Sequence, residues 1–342
     1  MGLHFLPTGE LEPFVERLMA RCPVIGPVSR KTKFVYDQLG TAANLRLDHD
    51  VTILPPKKVF FPQKQTLVSF DPSGMKSSIA PREQILVGVH PYDLRAIDML
   101  DKLFSEGHED WNYLANRKAV TVIGASVQSV APPAFFGSIH GPPPIGHDGF
   151  LTHITGGYLF ESLTKRGENL LSAGNFVAPS AEQTAEAEEV NDKTKTQCKE
   201  VIHHSAQEIS RRLRKHFSND QLWAELAQKC FSCGSCNMVC PTCYCFDVQD
   251  TWNIDQKSGE RMRTWDGCLL EDFAKVSLGA GATENFRETR ATRYRHRLLR
   301  KMAYQNDTLG SPACVGCGRC SISCVPDIAN PVTAIKRIMQ EG

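Results

Sequence analysis

The hydrophobic pattern of the first half alternates between helical and extended segments. Leu11, Val15 and Leu18 recur at helical spacing and predict a short opening helix. Short apolar and β-branched runs predict strands over residues 66–70, 85–89, 119–123 and 158–164. Apolar residues at helical spacing from Leu94 to Phe104 separate the second and third of these runs, so the pattern predicts a βαβ unit and a partly parallel sheet. No glycine-rich dinucleotide fingerprint follows the second run, and a dinucleotide site there is not supported.

The pattern then changes twice along the chain. Residues 128–149 are rich in proline and glycine and predict a long surface loop that serves a partner or a site. Residues 181–217 are rich in Glu, Lys, Gln and Ala, which is typical of one or two exposed helices that bridge two domains. We therefore predict three parts, namely a mixed α/β docking domain over 1–180, a helical bridge over 181–219 and a second domain over 220–342.

Bulk composition excludes several classes of protein. The chain has 342 residues, of which 41% are hydrophobic and 23% charged, as in an ordinary soluble protein. Its net charge of +1 gives no field that favours nucleic acid or an anionic membrane surface. No apolar run is long enough to span a bilayer, and no secretory leader is recognisable. Because free thiols need a reducing compartment, we predict a cytoplasmic protein.

Cysteine spacing carries the chemistry. Eight of the thirteen cysteines form two runs with the same C-x2-C-x2-C-x3-C spacing. Such a run gives three thiolates to one iron–sulfur cluster and its fourth thiolate to a second cluster. We predict two [4Fe–4S] clusters with crossed ligands. One would be held by Cys230, Cys233, Cys236 and Cys324, and the other by Cys240, Cys314, Cys317 and Cys320.

Other uses of these cysteines fit less well. Structural zinc sites take two cysteines from each of two loops, whereas here they come in threes with a distant fourth. No histidine follows a C-x-x-C pair as haem attachment requires, and an odd number of cysteines without a leader disfavours disulfides. Two alternatives stay open, namely one cluster together with one zinc ion, and one cluster together with one degraded site.

The distance between the two runs bears on the fold. Cys240 and Cys314 are separated by 73 residues, far more than in a compact βαββαβ ferredoxin. We therefore predict an α+β protein in which the mixed α/β domain is followed by an α-helical ferredoxin domain with two [4Fe–4S] clusters. An arginine-rich segment at 287–301 would face these anionic clusters, bind the acidic face of a partner, or form a solvated helix face. It has no aromatic stacking platform for nucleic acid.

Three further cysteines lie between the two runs, and the first two of them follow the first run closely. They are Cys243, Cys245 and Cys268. They would either form a third metal site or be buried thiols beside the clusters. Because three ligands do not complete a cubane, we favour buried thiols, which behave as small hydrophobic side chains.

The motifs together resemble a known family. Residues 230–248, 263–268, 314–320 and 88–97 are similar to the iron–sulfur beta subunit of soluble cytoplasmic sulfhydrogenases and to the A subunit of anaerobic sulfite reductase. Family members commonly have four more cysteines in the N-terminal half. At those positions this chain has Tyr92, Val127, Ala134 and Phe136. We therefore predict that an N-terminal cluster is absent and that aromatic and aliphatic side chains fill its pocket.

The resemblance implies an electron-transfer subunit without catalytic residues of its own. It would relay single electrons through two clusters between a flavin- and pyridine-nucleotide-binding subunit and a catalytic subunit. The catalytic subunit would be a hydrogenase, a sulfite reductase or a heterodisulfide-reductase-like protein. Two alternatives stay open, namely a self-contained flavin-dependent iron–sulfur oxidoreductase and an iron–sulfur redox sensor.

Overall fold

The computed structural model describes residues 2–139 and 141–341. Its α-helices are α1 (Leu11–Met19), α2 (Pro91–Ser105), α3 (Trp111–Ala119), α4 (Lys165–Leu170), α5 (Ala181–Thr196), α6 (Ala206–Lys215), α7 (Asp220–Ala227), α8 (Ser235–Met238), α9 (Arg290–Leu299), α10 (Gln305–Leu309), α11 (Arg319–Ile322) and α12 (Pro331–Met339). A π-helical segment, Arg300–Tyr304, joins α9 to α10. None of the helices among the described residues combines the length and the apolar character that crossing a membrane requires.

The strands form three sheets. They are β1 (Gly2–Pro7), β2 (Val24–Arg30), β3 (Lys33–Gln38), β4 (Lys64–Asp71), β5 (Gly74–Ser77), β6 (Gln84–Val89), β7 (Val120–Ala125), β8 (Gly149–Ile154), β9 (Gly157–Ser162), β10 (Phe246–Trp252), β11 (Gly259–Trp265), β12 (Lys275–Gly279) and β13 (Ala282–Asn285). The chain is thus an α+β protein, as predicted.

The first sheet has the strand order β1-β9-β8-β7-β6-β2-β3. Its four central strands, β8, β7, β6 and β2, are parallel to their neighbours within this group, and antiparallel strands flank them on both sides. The residues of β6 and β7 are almost all apolar and buried, which is typical of parallel strands covered on both faces. The predicted opening helix, the predicted strands and the βαβ unit β6-α2-β7 are all confirmed.

Helix α2 begins directly after β6. Pro91 occupies its first turn, where the missing N–H has no partner to lose. Leu94, Ile97 and Leu100 recur at helical spacing and pack into one apolar core with β6 and β7. The first turn of α2 therefore lies at the carboxyl end of β6, an edge of parallel sheets at which ligands commonly bind.

The second sheet joins distant parts of the chain. Its strand order is β10-β11-β4-β5, so a hairpin between the two cysteine runs pairs with a strand of the first half. The indole of Trp265 stacks on Phe61, with ring centroids 5.8 Å apart, and its Nε1 donates to the carbonyl oxygen of Phe61 at 3.1 Å. The prediction of a helical domain over 220–342 is wrong for residues 246–285, which form four strands. The boundaries of the three predicted parts stay a prediction.

The proline- and glycine-rich segment is not wholly at the surface. Ala131, Ala134 and Phe135 are buried, and the backbone N–H of Phe135 donates to the carbonyl oxygen of Gly316 at 2.8 Å. This part of the predicted surface loop is therefore enclosed, because it packs beneath the second cysteine run.

Helices dominate around the cysteine runs themselves. An apolar core there draws on α6, α7, α9 and α12, and Trp223 and Leu213 are among its fully enclosed side chains. Ser180 and Gln183 form a reciprocal capping box at the start of α5, which explains why this polar segment is helical.

Candidate metal centres

The two cysteine runs have the same backbone conformation. The third residue of each run is left-handed, with φ of 55° at Ser232 and 70° at Gly316. The fifth residue is also left-handed, with φ of 70° at Gly234 and 77° at Gly318. Glycine adopts this conformation without steric cost. Each run then enters a one-turn helix, α8 or α11, and these two helices pack against each other.

The fold gathers the eight cysteines around two cavities. The cavity nearer the N-terminal half, here called the inner cavity, is lined by Cys240, Cys314, Cys317 and Cys320. The other, here called the outer cavity, is lined by Cys230, Cys233, Cys236 and Cys324. Each cavity therefore combines three cysteines of one run with the last cysteine of the other run. These are the two crossed sets expected from the spacing.

The donor set suits a cluster. Thiol sulfurs are soft donors, and four of them surround each cavity, which is the arrangement that a cluster of several irons requires. Among the described residues, no three His, Cys, Asp or Glu side chains are grouped closely enough to hold a single metal ion. That these eight residues bind iron–sulfur clusters stays a prediction.

The two cavities differ in their exposure. Cys233 of the outer set is exposed, and hydrogen bonds with Ser235 lower its pKa. In the inner set, burial raises the pKa of Cys314 to about 12. A bound metal requires deprotonated cysteines. Metal binding to the inner set would therefore release the protons that its neutral, buried thiols carry. Cys233 is thus the member of the outer set that lies at the surface.

Two cations of the arginine-rich segment reach the inner cavity. Arg297 is buried and lines that cavity with Lys301, whose Nζ donates to the carbonyl oxygen and Oγ1 of Thr242 at 2.9 and 2.7 Å. Burial disfavours the charged guanidinium, yet nearby thiols, chiefly Cys236, raise the pKa of Arg297 well above its ordinary value. Since buried cations need nearby negative charge, they fit an anionic group in this cavity. Arg290 of the same segment is exposed.

A buried ion pair fastens the second run to the N-terminal half. Both guanidinium NH groups of Arg319 donate to the carboxylate of Asp93 at 2.6 Å, and both side chains are almost fully enclosed. Arg319 also donates to the carbonyl oxygen of Thr52 at 2.8 Å. Sequence reasoning missed this pair, although Arg319 stands within the run and Asp93 within the first turn of α2.

Two of the three additional cysteines, Cys243 and Cys268, lie beside the side chain of Asn237. Its Nδ2 is 3.6 Å from the Sγ of Cys243 and 3.4 Å from the Sγ of Cys268. Burial raises the pKa of Cys245 to about 11. Because the amide of Asn237 occupies the space between two of the sulfurs, the geometry favours buried thiols over a third metal site.

A buried lysine beside these thiols was not expected from the sequence. The Nζ of Lys57 donates to the carbonyl oxygen of Cys243 and lies 4.3 Å from the ring centroid of Trp265. Burial lowers the pKa of Lys57 to about 8, and the neighbouring thiols oppose this shift. The only local signal was its position directly after two prolines.

The four N-terminal positions that hold cysteine in the resembling family lie together. Tyr92 and Phe136 have ring centroids 5.4 Å apart, and Val127 packs in the same apolar cluster as Tyr92. Ala134 belongs to an adjoining cluster that also contacts Phe136. Aromatic and aliphatic side chains therefore stand at these four positions, and Tyr92, Val127 and Phe136 also line a cavity.

Comparisons with known proteins agree with this geometry. Residues 229–328 match the family model described as the 4Fe-4S dicluster domain. The C-terminal part of the chain is therefore similar to iron–sulfur domains of this class. It is also similar to the sulfhydrogenase 2 subunit beta of Pyrococcus furiosus, with 29% identity over 320 residues that cover 91% of each chain. The predicted resemblance to sulfhydrogenase beta subunits is thus confirmed. No solved structure matches the chain.

Proposed function

We propose that the chain is an electron-transfer subunit that relays single electrons through two [4Fe–4S] clusters within a larger oxidoreductase. The observation that carries this proposal is the pair of cavities, each lined by four cysteines in a crossed set. Sharing the last cysteine of each run keeps the two cavities close together. Closely spaced iron–sulfur clusters form a path for electrons and need no general base or nucleophile.

The outer cavity has the features of a contact site for a redox partner. Phe231 and Val325 flank its cysteines and are 69% and 88% exposed, and Ile322 of α11 is 44% exposed. Apolar side chains grouped at the surface are typical of protein interfaces. We propose that a partner subunit docks here, because Cys233 brings the outer set to this surface.

The partners follow by analogy with the relative. The name of that relative describes a beta subunit of a sulfhydrogenase, which is one component of an assembly. We propose that this chain also works between two other subunits, namely a flavoprotein that exchanges electrons with pyridine nucleotides and a catalytic subunit. The catalytic subunit would be a hydrogenase, a sulfite reductase or a heterodisulfide-reductase-like protein.

Metal analysis tests the proposal directly. Chain purified without oxygen should contain ~8 iron and ~8 sulfide per polypeptide. Reduction with dithionite should give an electron paramagnetic resonance spectrum of two magnetically interacting clusters. A zinc-rich preparation, or a colourless one without a signal after reduction, would contradict the relay.

A second measurement probes the cation beside the inner cavity. Replacing Lys301 by methionine removes a positive charge next to Cys240 and Cys314, and thereby disfavours the added electron. We expect the reduction potential of one cluster to fall by ~50 mV, which corresponds to about 1.2 kcal/mol for a one-electron couple. Lys336→Met is the matched control, because Lys336 is exposed and pairs with Glu200. Equal potentials in the two variants would place this charge away from the redox centre.

A further inference from the structure

A third cavity, here called the side cavity, lies next to the inner one. It has a volume of about 830 Å³, within the range of sites that bind cofactors and other small molecules. The first turn of α2, strands β8 and β9 and residues 136, 137, 139 and 141–145 contribute to its lining. Val315 lines both the side cavity and the inner cavity. A molecule bound in the side cavity would therefore be a close neighbour of Cys314 and Cys317.

The wall of the side cavity suits a planar ring. Tyr92 and Phe136 lie on it with an interplanar angle of 33°, and Phe150 contributes a third aromatic ring. Val127 and Ile139 supply aliphatic surface between them. Flat aromatic ligands gain from stacking on such rings in addition to the area that they bury.

Positively charged groups contribute to the lining of the side cavity, which also includes Glu161. Pro91 in the first turn of α2 lies on its wall, so the partial positive charge of this fifteen-residue helix faces it. Arg95 lies one turn further along α2, also on the wall, and its Nη1 donates to the carbonyl oxygen of Ile139 at 3.2 Å. A helix start together with an arginine is the usual environment of a phosphate group. His147 adds no charge, because burial lowers its pKa to about 4.

Together these features define a class of ligand. We propose that the side cavity binds a flavin mononucleotide, with its planar ring against Tyr92 and Phe136 and its phosphate towards Arg95. This inference rests on the proposed function, since the neighbouring cysteines are those of a one-electron carrier. Flavins take part in both hydride and one-electron chemistry, whereas nicotinamides transfer hydride. With the side cavity occupied in this way, the chain would hold an organic redox cofactor of its own.

Binding to the intact iron-loaded chain tests this proposal. Equilibrium dialysis without oxygen should show one flavin mononucleotide bound per chain, and riboflavin, which lacks the phosphate, at least about tenfold weaker. Ile139→Trp fills the side cavity and should weaken binding of flavin mononucleotide at least about tenfold. The matched control is Ile254→Trp, because Ile254 is fully exposed and lies in the distant β10–β11 turn. Arg95→Gln should remove the preference for the phosphorylated flavin.

Each outcome decides between the proposals. The flavin site would be overturned if the chain bound no flavin, or if the Ile139→Trp and Ile254→Trp variants bound it equally well. It would also be overturned if the chain bound both flavins with equal affinity and Arg95→Gln changed neither affinity. Iron content, measured on the same samples, reports separately on the clusters. If the chain contains ~8 iron and binds no flavin, only the proposed flavin site is contradicted. If it contains no iron, the proposed electron relay is contradicted as well.

Discussion

Replacing Cys240 by serine should halve the iron content of the chain, whereas replacing Cys243 by serine should leave it unchanged. Cys240 lines the inner cavity, while Cys243 lies three residues further on beside Asn237. Loss of one thiolate ligand releases a cluster, so iron should fall from ~8 to ~4 per chain in the first variant only. The two substitutions are matched in chemistry and in position along the chain. Iron analysis of anaerobic protein measures the difference.

Alkylation extends this prediction to the crossed arrangement. In the Cys240→Ser variant, the freed thiols should be Cys314, Cys317 and Cys320, although the mutated residue belongs to the other run. Mass spectrometry after treatment with iodoacetamide identifies them. If the first run is alkylated instead, each run holds its own cluster and the crossed assignment is wrong. Loss of iron in the Cys243→Ser variant would indicate that Cys243 is a cluster ligand.

Replacing Asp93 by alanine should strongly destabilise the protein. The substitution leaves Arg319 enclosed without its carboxylate partner, and breaking a buried pair in this way costs ~3–5 kcal/mol. For a chain of 342 residues the midpoint of thermal unfolding should fall by roughly 4–7 °C. The matched control is Asp37→Ala, which breaks an exposed pair with Arg30 and should cost less than ~1 kcal/mol. Differential scanning calorimetry of anaerobic samples compares the two.

A double replacement separates loss of the pair from loss of packing. Asp93→Leu combined with Arg319→Met leaves no uncompensated charge and should recover much of the stability that Asp93→Ala loses. Equal midpoints for Asp93→Ala and Asp37→Ala would show that the buried pair does not hold the second run to the N-terminal half. A double variant no better than Asp93→Ala would show that contacts to Thr52 matter more.

Local patterns in the sequence were sufficient for the cysteine loops and for the central strands. The spacing of each run, with glycine at Gly234 and Gly318 where the backbone is left-handed, encodes its own turn and the one-turn helix that follows. The buried strands β6 and β7 are continuous apolar runs, and α2 has its own periodicity. These features depend on neighbours in the chain and therefore show in the sequence.

Contacts between distant segments were not predictable in the same way. The pairing of β11 with β4 joins residues almost two hundred positions apart. Neither segment has a sequence pattern that identifies the strand with which it pairs. The burial of Phe135 likewise depends on the later run that covers it. Lys57 and Asp93 carry charges that usually lie at the surface, and only the folded chain shows them enclosed. The side cavity is formed by several such segments at once.

Each cysteine-lined cavity draws its walls from both runs, which has a consequence for biosynthesis. A nascent chain that has not yet reached Cys314 contains three of the four cysteines that line the outer cavity and one of the four that line the inner cavity. If the two cavities hold clusters as proposed, neither cluster could have its four cysteine ligands until the chain has been made as far as Cys314, and the outer one not until Cys324.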